Sequence, residues 1–239
     1  MTLVWDGARN LIDLGGLPVL SGGATACGRV WRSAAPDSVA PDGWAAARAA
    51  GLTTVVDLRN AIEREGVTVP EGIEVVHAPT EDPHDPAFLE ECGRWLDHTR
   101  SWAPNLERYP EKFARVFTAI ADAEGGVLIH CAGGRDRTGL VASMLLALNG
   151  VEDEAIADHY ERGFRGAAEH RGPGLGFDPA TGQWTTATDA EWRPEEMDAA
   201  LADRRPLLLA WLRETDAGGY LAAAGVDAAR LDRLRTMLR

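Results

Sequence analysis

Cysteine is scarce in this chain of 239 residues: Cys27, Cys92 and Cys131 are the whole supply. An odd count with such wide separations fits neither a disulfide framework nor metal-ligand spacing, and two of the three suit the role of small buried apolar groups. No run of about 18 apolar residues occurs, so no segment reads as a membrane span. The opening Met1-Thr2-Leu3-Val4-Trp5-Asp6-Gly7 has neither a basic n-region nor an apolar h-region. A secretory signal is therefore not expected, and the cytoplasm is the expected compartment. Positive charge is also short, with 24 Lys and Arg against 37 Asp and Glu, a formal net charge of -13, and Lys112 as the single lysine. A chain so acidic repels nucleic acid and anionic membranes at long range, which argues against polyanion binding. An anionic ligand must instead find a local focus of positive charge.

What is present is ordinary for a soluble globular protein: 45% apolar and 26% charged residues, and no internal repeat. We read the chain as one domain over 1–239, a length that can bury one substantial core. Strand-like and helix-like signals alternate. Gly28-Arg29-Val30-Trp31-Arg32, Thr53-Thr54-Val55-Val56-Asp57-Leu58, Ile73-Glu74-Val75-Val76-His77-Ala78 and Val127-Leu128-Ile129-His130 read as strands, being apolar and rich in β-branched residues. Helices are expected near 41–50 with proline at the start, briefly around 61–65, over about 111–123 with Phe113, Val116, Phe117 and Ile120 on one face, and after residue 138 with Leu140, Val141, Met144, Leu145 and Leu148 as a stripe. This predicts an α/β fold, a central mostly parallel sheet of about four or five strands flanked by helices. The segment 83–110 has no strand signal, and reads either as a helical lid over a site or as a packed surface subdomain. An irregular loop is expected over 163–193, around Gly172-Pro173-Gly174-Leu175-Gly176. C-terminal helices follow over 194–239, broken or kinked at Pro206, the last of them capped by Asp227.

The chemistry concentrates in His130-Cys131-Ala132-Gly133-Gly134-Arg135-Asp136-Arg137-Thr138. A glycine-rich turn between a strand and a helix aims backbone N–H groups inward as an anion nest, and the following helix adds the positive end of its dipole. Ala132, Gly133, Gly134 and Arg135 are thus candidate phosphate-binding positions. Arg137, six residues after the cysteine, can fold back and bind two phosphate oxygens. The same surroundings favour the thiolate of Cys131, aligned for in-line attack on phosphorus. His130 is expected to hold the loop by hydrogen bonds, and Thr138 to donate its hydroxyl to sulfur when the phosphocysteine breaks down. Cys-x-x-Gly-x-x-Arg-[Ser/Thr] arises by accident in roughly a few chains per thousand.

His130 through Gly139 resembles the signature loop of the protein tyrosine phosphatase superfamily. It is similar to the bacterial tyrosine/serine and phosphoinositide phosphatase group whose loop reads His-Cys-x-x-Gly-Lys-Asp-Arg-Thr-Gly. Asn10-Leu11-Ile12-Asp13-Leu14-Gly15-Gly16, Val30-Trp31-Arg32-Ser33 and Thr54-Val55-Val56-Asp57-Leu58-Arg59 are further matches, with Tyr220-Leu221 a weaker one. The resemblance implies a tyrosine or dual-specificity type of phosphatase working on phosphorylated protein, phospholipid or small phosphomonoester substrates. It also implies inhibition by phosphate-like oxyanions and no need of metal or other cofactor. Arg135 stands where the group usually has lysine, a planar fork in place of a point charge, which is expected to alter substrate preference rather than abolish catalysis.

The leaving group needs a proton donor. Asp82 follows the strand near 73–78, where the superfamily keeps a mobile acid loop. Asp136 lies in the phosphate loop, as in the bacterial group, although its arginine neighbours are expected to depress its pKa. Both stay open at this level. Arg59 and Glu63, four apart, suggest an ion pair on a helical turn, and the resemblance suggests that Arg59 lines the substrate cleft instead. Two other classes compete. A non-catalytic phosphate-binding module could dispense with the thiol, and a rhodanese-like sulfurtransferase would not need Arg137 followed by Thr138.

Overall fold

In the computed structural model, residues 4–64, 69–169, 173–188 and 192–239 are described. The sheet has five strands: β1 (Ile12–Asp13), β2 (Val30–Ser33), β3 (Leu52–Asp57), β4 (Glu74–His77) and β5 (Gly126–His130). Their spatial order is β1-β2-β5-β3-β4. All neighbours run parallel except the short edge pair β1 and β2.

Alternation along the strands decides which layer each side chain enters. On one face Val55 and Leu128 pack with Trp31, Leu52 and Ile73 against α1 (Pro41–Ala49), through Trp44 and Ala47. On the other, Val30, Val56, Val127 and Ile129 meet α4 (Pro110–Asp122) and α5 (Asp136–Leu148). The stripe Phe113, Val116, Phe117 and Ile120 of α4 is fully buried there, as its spacing predicts. Each such side chain contributes about 1.5–3 kcal/mol. The result is the expected α/β sandwich.

Register brings four strand ends level. Ser33 of β2 and Asp57 of β3 both pair with His130 of β5, and Asp57 also pairs with His77 of β4. In a parallel sheet the carboxyl ends of the strands form the ligand-binding edge. Whatever follows Ser33, Asp57, His77 and His130 therefore meets in one place.

The segment after β4 is helical, with α2 (Pro86–Cys92), two 3₁₀ turns and α3 (Trp102–Arg108). Its distal half is anchored: Trp102 is 2% exposed and meets the rings of Tyr160 and Trp211 edge to face, at 5.5 and 5.1 Å. Two expectations change. Where an irregular loop is read over 163–193, α6 (Asp153–Glu169) runs through Gly163, and β6 (Pro173–Asp178) pairs with β7 (Gln183–Thr188) as an antiparallel hairpin. Residues 170–172 and 189–191 of that stretch lie outside the described residues. Similarly α7 (Pro194–Glu214) is assigned as one helix through Pro206, with Met197 and Leu201 before the proline and Leu208, Trp211 and Leu212 after it all in the core. Packing on both sides outweighs the one backbone bond that proline cannot make. Helices α8 (Ala217–Ala223) and α9 (Ala228–Thr236) close the core with Leu221, Leu231 and Leu234. The side chain of Asp227 accepts from the Arg230 amide, the cap expected for α9. Among the described residues no helix is long and apolar enough to cross a membrane.

Candidate active site

The turn from Cys131 to Arg135 joins β5 to α5, and each of its carbonyls has a donor. Cys131 O faces His130 Nδ1 at 3.1 Å, and Ala132 O accepts from the Ala35 amide at 2.9 Å. Gly133 O accepts from Asn10 Nδ2 at 2.9 Å, and Gly134 O from Arg32 Nη2 at 2.6 Å and Asn10 Nδ2 at 3.3 Å. Arg135 O accepts from Arg32 Nη2 at 3.1 Å and from the Gly139 amide at 2.9 Å. In a planar trans peptide the C=O and the following N–H point in opposite directions. Holding these carbonyls therefore turns the amides of Ala132, Gly133, Gly134, Arg135 and Asp136 away from those donors, at the N-terminus of α5.

Gly134 makes the turn possible. Its φ is +67°, and a Cβ there would lie 2.3 Å from the carbonyl oxygen of Ser33. Cys131 sits at the base of the turn, 3% exposed. Because a carbonyl only accepts, Nδ1 of His130 must carry the hydrogen it shares with Cys131 O. Burial lowers the pKa of His130, so its ring is neutral at neutral pH. The ring's Nε2 lies 3.7 Å from Asp57 Oδ1. Thr138 is completely buried, and its hydroxyl has no hydrogen-bond partner among the described residues.

Arg137 is presented by two carboxylates. Glu63 takes both of its Nη atoms, Nη2 to Oε1 at 2.7 Å, and Glu81 Oε2 lies 3.9 Å from its Nε. Burial alone would lower the pKa of Arg137, but Glu63 raises it well above the ordinary value. Burial likewise works against the charge of Glu63, and Arg137 overcomes it. The expected Arg59–Glu63 pair is not formed. Arg59 is 3% exposed, with Nε and Nη2 each 3.0 Å from Asp57 and Nη1 3.5 Å from Asp37, so its guanidinium is committed to bracing Asp57 rather than to a cleft. The reason is local. Asp57 is 1% exposed at the end of β3 and takes the nearest cation, while the short 3₁₀ turn Ala61–Glu63 turns Glu63 toward α5.

The two acid candidates separate. Asp82 is partly exposed and spends Oδ1 on the His84 amide at 2.9 Å; no hydrogen bond or ion pair joins it to the loop among the described residues. Asp136 accepts from Arg135 Nε at 2.7 Å, and its buried Oδ1 has no hydrogen-bond partner among the described residues. Its pKa is raised, contrary to the expected depression, because burial outweighs the arginine beside it. Arg135 also reaches Asp97 at 3.4 Å and lies over the Phe164 ring, whose centroid is 5.1 Å away. Planar stacking of this kind suits arginine better than lysine's point charge.

The sequence model of the tyrosine phosphatase family matches residues 3–239. The chain belongs to this family. It is 32% identical to a putative tyrosine-protein phosphatase of Cupriavidus necator, over 96% of this chain and 86% of that protein. It is 28% identical to the triple specificity protein phosphatase PtpB of Mycobacterium tuberculosis, over 88% and 91% respectively. The chain is thus a phosphatase, and neither the non-catalytic module nor the sulfurtransferase is favoured.

Four residues of this phosphatase's site had no role assigned from sequence. Asn10 and Arg32 lie in segments read only as family matches, yet they hold the loop. A charged residue inside an apolar strand was the available signal for Arg32. Asp57 was legible only as a strand end. Nothing in the run Thr80-Glu81-Asp82-Pro83 singled out Glu81, which is 6% exposed and turned to Arg137.

Proposed function

We propose that the phosphatase hydrolyses phosphate monoesters on Cys131 through a phosphocysteine intermediate. The thiolate attacks phosphorus in line as the ester P–O bond breaks, and Asp136 gives its proton to the departing oxygen. Water then attacks phosphorus, Asp136 takes back a proton, and the S–P bond breaks with the Thr138 hydroxyl donating to the leaving sulfur. The nest amides and Arg137 bind the phosphoryl oxygens, and His130 positions Cys131 through its carbonyl. One observation carries the reading: the carbonyls of residues 131–135 are all held by other donors, which leaves the amides beside the thiol for an anion. Protein groups fill every one of these roles, so the reaction is expected to proceed in excess EDTA.

The substrates fitting this reading are proteins phosphorylated on tyrosine, serine or threonine, and phosphoinositides. Arg135, stacked and paired at the start of α5, is the group that would tell them apart. Phosphate-like oxyanions should compete at the nest. The compartment we infer is the cytoplasm, where unpaired thiols such as Cys131 stay reduced. The test is release of phosphate from p-nitrophenyl phosphate, then from a panel of phosphotyrosine, phosphoserine, phosphothreonine and phosphoinositide substrates at equal concentration. Hydrolysis that survives Cys131→Ser or stops with chelator would reject the reading.

A further inference from the structure

Resting on the reading that Arg137 holds the phosphate, the charge count around this arginine has a consequence for binding. Glu63 is fixed by Arg137 and by the Asn60 amide at 2.9 Å, and one oxygen of Asp136 is fixed by Arg135. Glu81 has no such hold. It makes no hydrogen bond among the described residues, and its one ion-pair partner there is Arg137, whose Nε lies 3.9 Å away. Its side chain is 7% exposed, so water does little to shield it. A phosphate dianion entering beside Arg137 adds two negative charges where Glu63 and Glu81 already share that one guanidinium. Coulomb repulsion at such distances in a poorly screened site is too large to leave uncompensated.

We infer that dianion binding is coupled to uptake of one proton, that the proton resides on the carboxyl of Glu81, and that Glu81 thereby yields Arg137 to the phosphate. Glu81 is a positioning residue here, acting through Arg137. The groups facing it are Glu63 from the 3₁₀ turn, Asp136 and Arg137 from α5, Lys112 from α4 and Cys92 from α2. Burial, reinforced by Glu63 and Asp136 and opposed by Arg137 and Lys112, already pushes this carboxyl up to about 7 in the free protein. A bound dianion raises it further. The sign follows. Well below neutrality Glu81 is protonated before and after binding, and no proton is exchanged. Just above neutrality it is ionised in the free protein and protonated in the complex, so uptake is greatest there.

The experiment is isothermal titration of the Cys131→Ser protein with sulfate, which stays a dianion throughout, in buffers of different ionisation enthalpy and over a range of pH. The serine background removes the thiol as a rival proton acceptor. Uptake of roughly half a proton or more per sulfate is expected slightly above neutral pH, with the sulfate affinity falling toward tenfold per pH unit there and levelling off in acid. Adding Glu81→Gln should abolish the uptake and flatten the affinity, whereas adding Asp136→Asn should leave the uptake in place. Sulfate binding with no uptake and no pH dependence overturns the inference, as does uptake that persists in Glu81→Gln or vanishes only in Asp136→Asn. The affinity profile of the Cys131→Ser protein decides the matter even if Glu81→Gln does not fold. Sulfate that binds equally well after Arg137→Ala refutes the underlying reading of the loop instead, and is told apart by that control.

Discussion

Replacing Arg32 by methionine should damage catalysis far more than stability. Arg32 is completely buried and gives Nη2 to two loop carbonyls. Hydrogen bonds from a charged donor are worth about 1.5–3 kcal/mol each. Against that gain, Nε and Nη1 have no hydrogen-bond partner among the described residues, and burial lowers the guanidinium pKa from 12.5 to about 10. Such a shift corresponds to a cost of about 3 kcal/mol. Gly134 O would keep Asn10, and Arg135 O would keep the Gly139 amide, so neither carbonyl is orphaned. The net loss of stability is then at most about 3 kcal/mol, read as a drop of several degrees in Tm. The loop amides, however, must be placed to a fraction of an ångström, and a displacement of about 1 Å costs about a hundredfold in rate. Steady-state hydrolysis of p-nitrophenyl phosphate and the inhibition constant of tungstate, measured beside a thermal melt, provide the assay. We expect kcat/KM down about a hundredfold and tungstate weakened in parallel. Gly163→Ala approaches the same point from α6, since its new Cβ would lie 2.6 Å from the Arg32 guanidinium carbon. A folded Arg32→Met enzyme with activity and tungstate affinity near those of the parent would refute the view that the carbonyl tethers set the nest.

Gly134→Ala must move the loop or Ser33, because the added carbon would lie 2.3 Å from a backbone oxygen and φ is already +67°; a stability loss of about 2 kcal/mol or more is expected in chemical denaturation. Asp136→Asn should lower kcat by about a hundredfold or more on alkyl phosphates and less on p-nitrophenyl phosphate, whose leaving group needs little help. Asp82→Asn should stay close to the parent, and the reverse ranking would exchange their roles. Glu81 makes a stability prediction with a definite sign. Its folded pKa of about 7 lies above the reference of 4.5, so its contribution is complete below 4.5 and is lost as pH rises to about 7. The loss amounts to about 3 kcal/mol at most. Denaturation of Glu81→Gln across that window should lack this decline, and a decline identical to the parent's would contradict it.

The strands were legible where apolar β-branched residues run together, as in Thr54-Val55-Val56 and Val127-Leu128-Ile129, and α4 was legible from its stripe. The hairpin Pro173–Asp178 with Gln183–Thr188 was not, because the glycines and proline of Gly172-Pro173-Gly174 read as breakers before any partner strand is known. Gly163 and Gly166 fall in the same stretch, which reads as an irregular loop. They stand inside α6 because Arg32 and Asn10 press against them, a Cβ at Gly166 lying 2.3 Å from Asn10 Oδ1. In the site, the nucleophile, the arginine and the glycine turn form one continuous stretch, so local sequence carried them. Glu81, Glu63 and Arg137 meet only when two strand ends and a helix start come level, and spacing within the chain could not pair them. The i,i+4 reading of Arg59 and Glu63 failed because the turn between them is three residues of 3₁₀ helix, without the pitch that the rule assumes.

The most direct measurement is acid quenching of the Asp136→Asn enzyme during turnover of p-nitrophenyl phosphate, followed by peptide mass spectrometry. Slowed breakdown should accumulate a phosphate adduct on the peptide containing Cys131, absent from Cys131→Ser and far scarcer in the parent enzyme, where Asp136 takes a proton from the attacking water and the adduct is hydrolysed. Turnover with no adduct at any time, or an adduct on a residue other than Cys131, would contradict the phosphocysteine route.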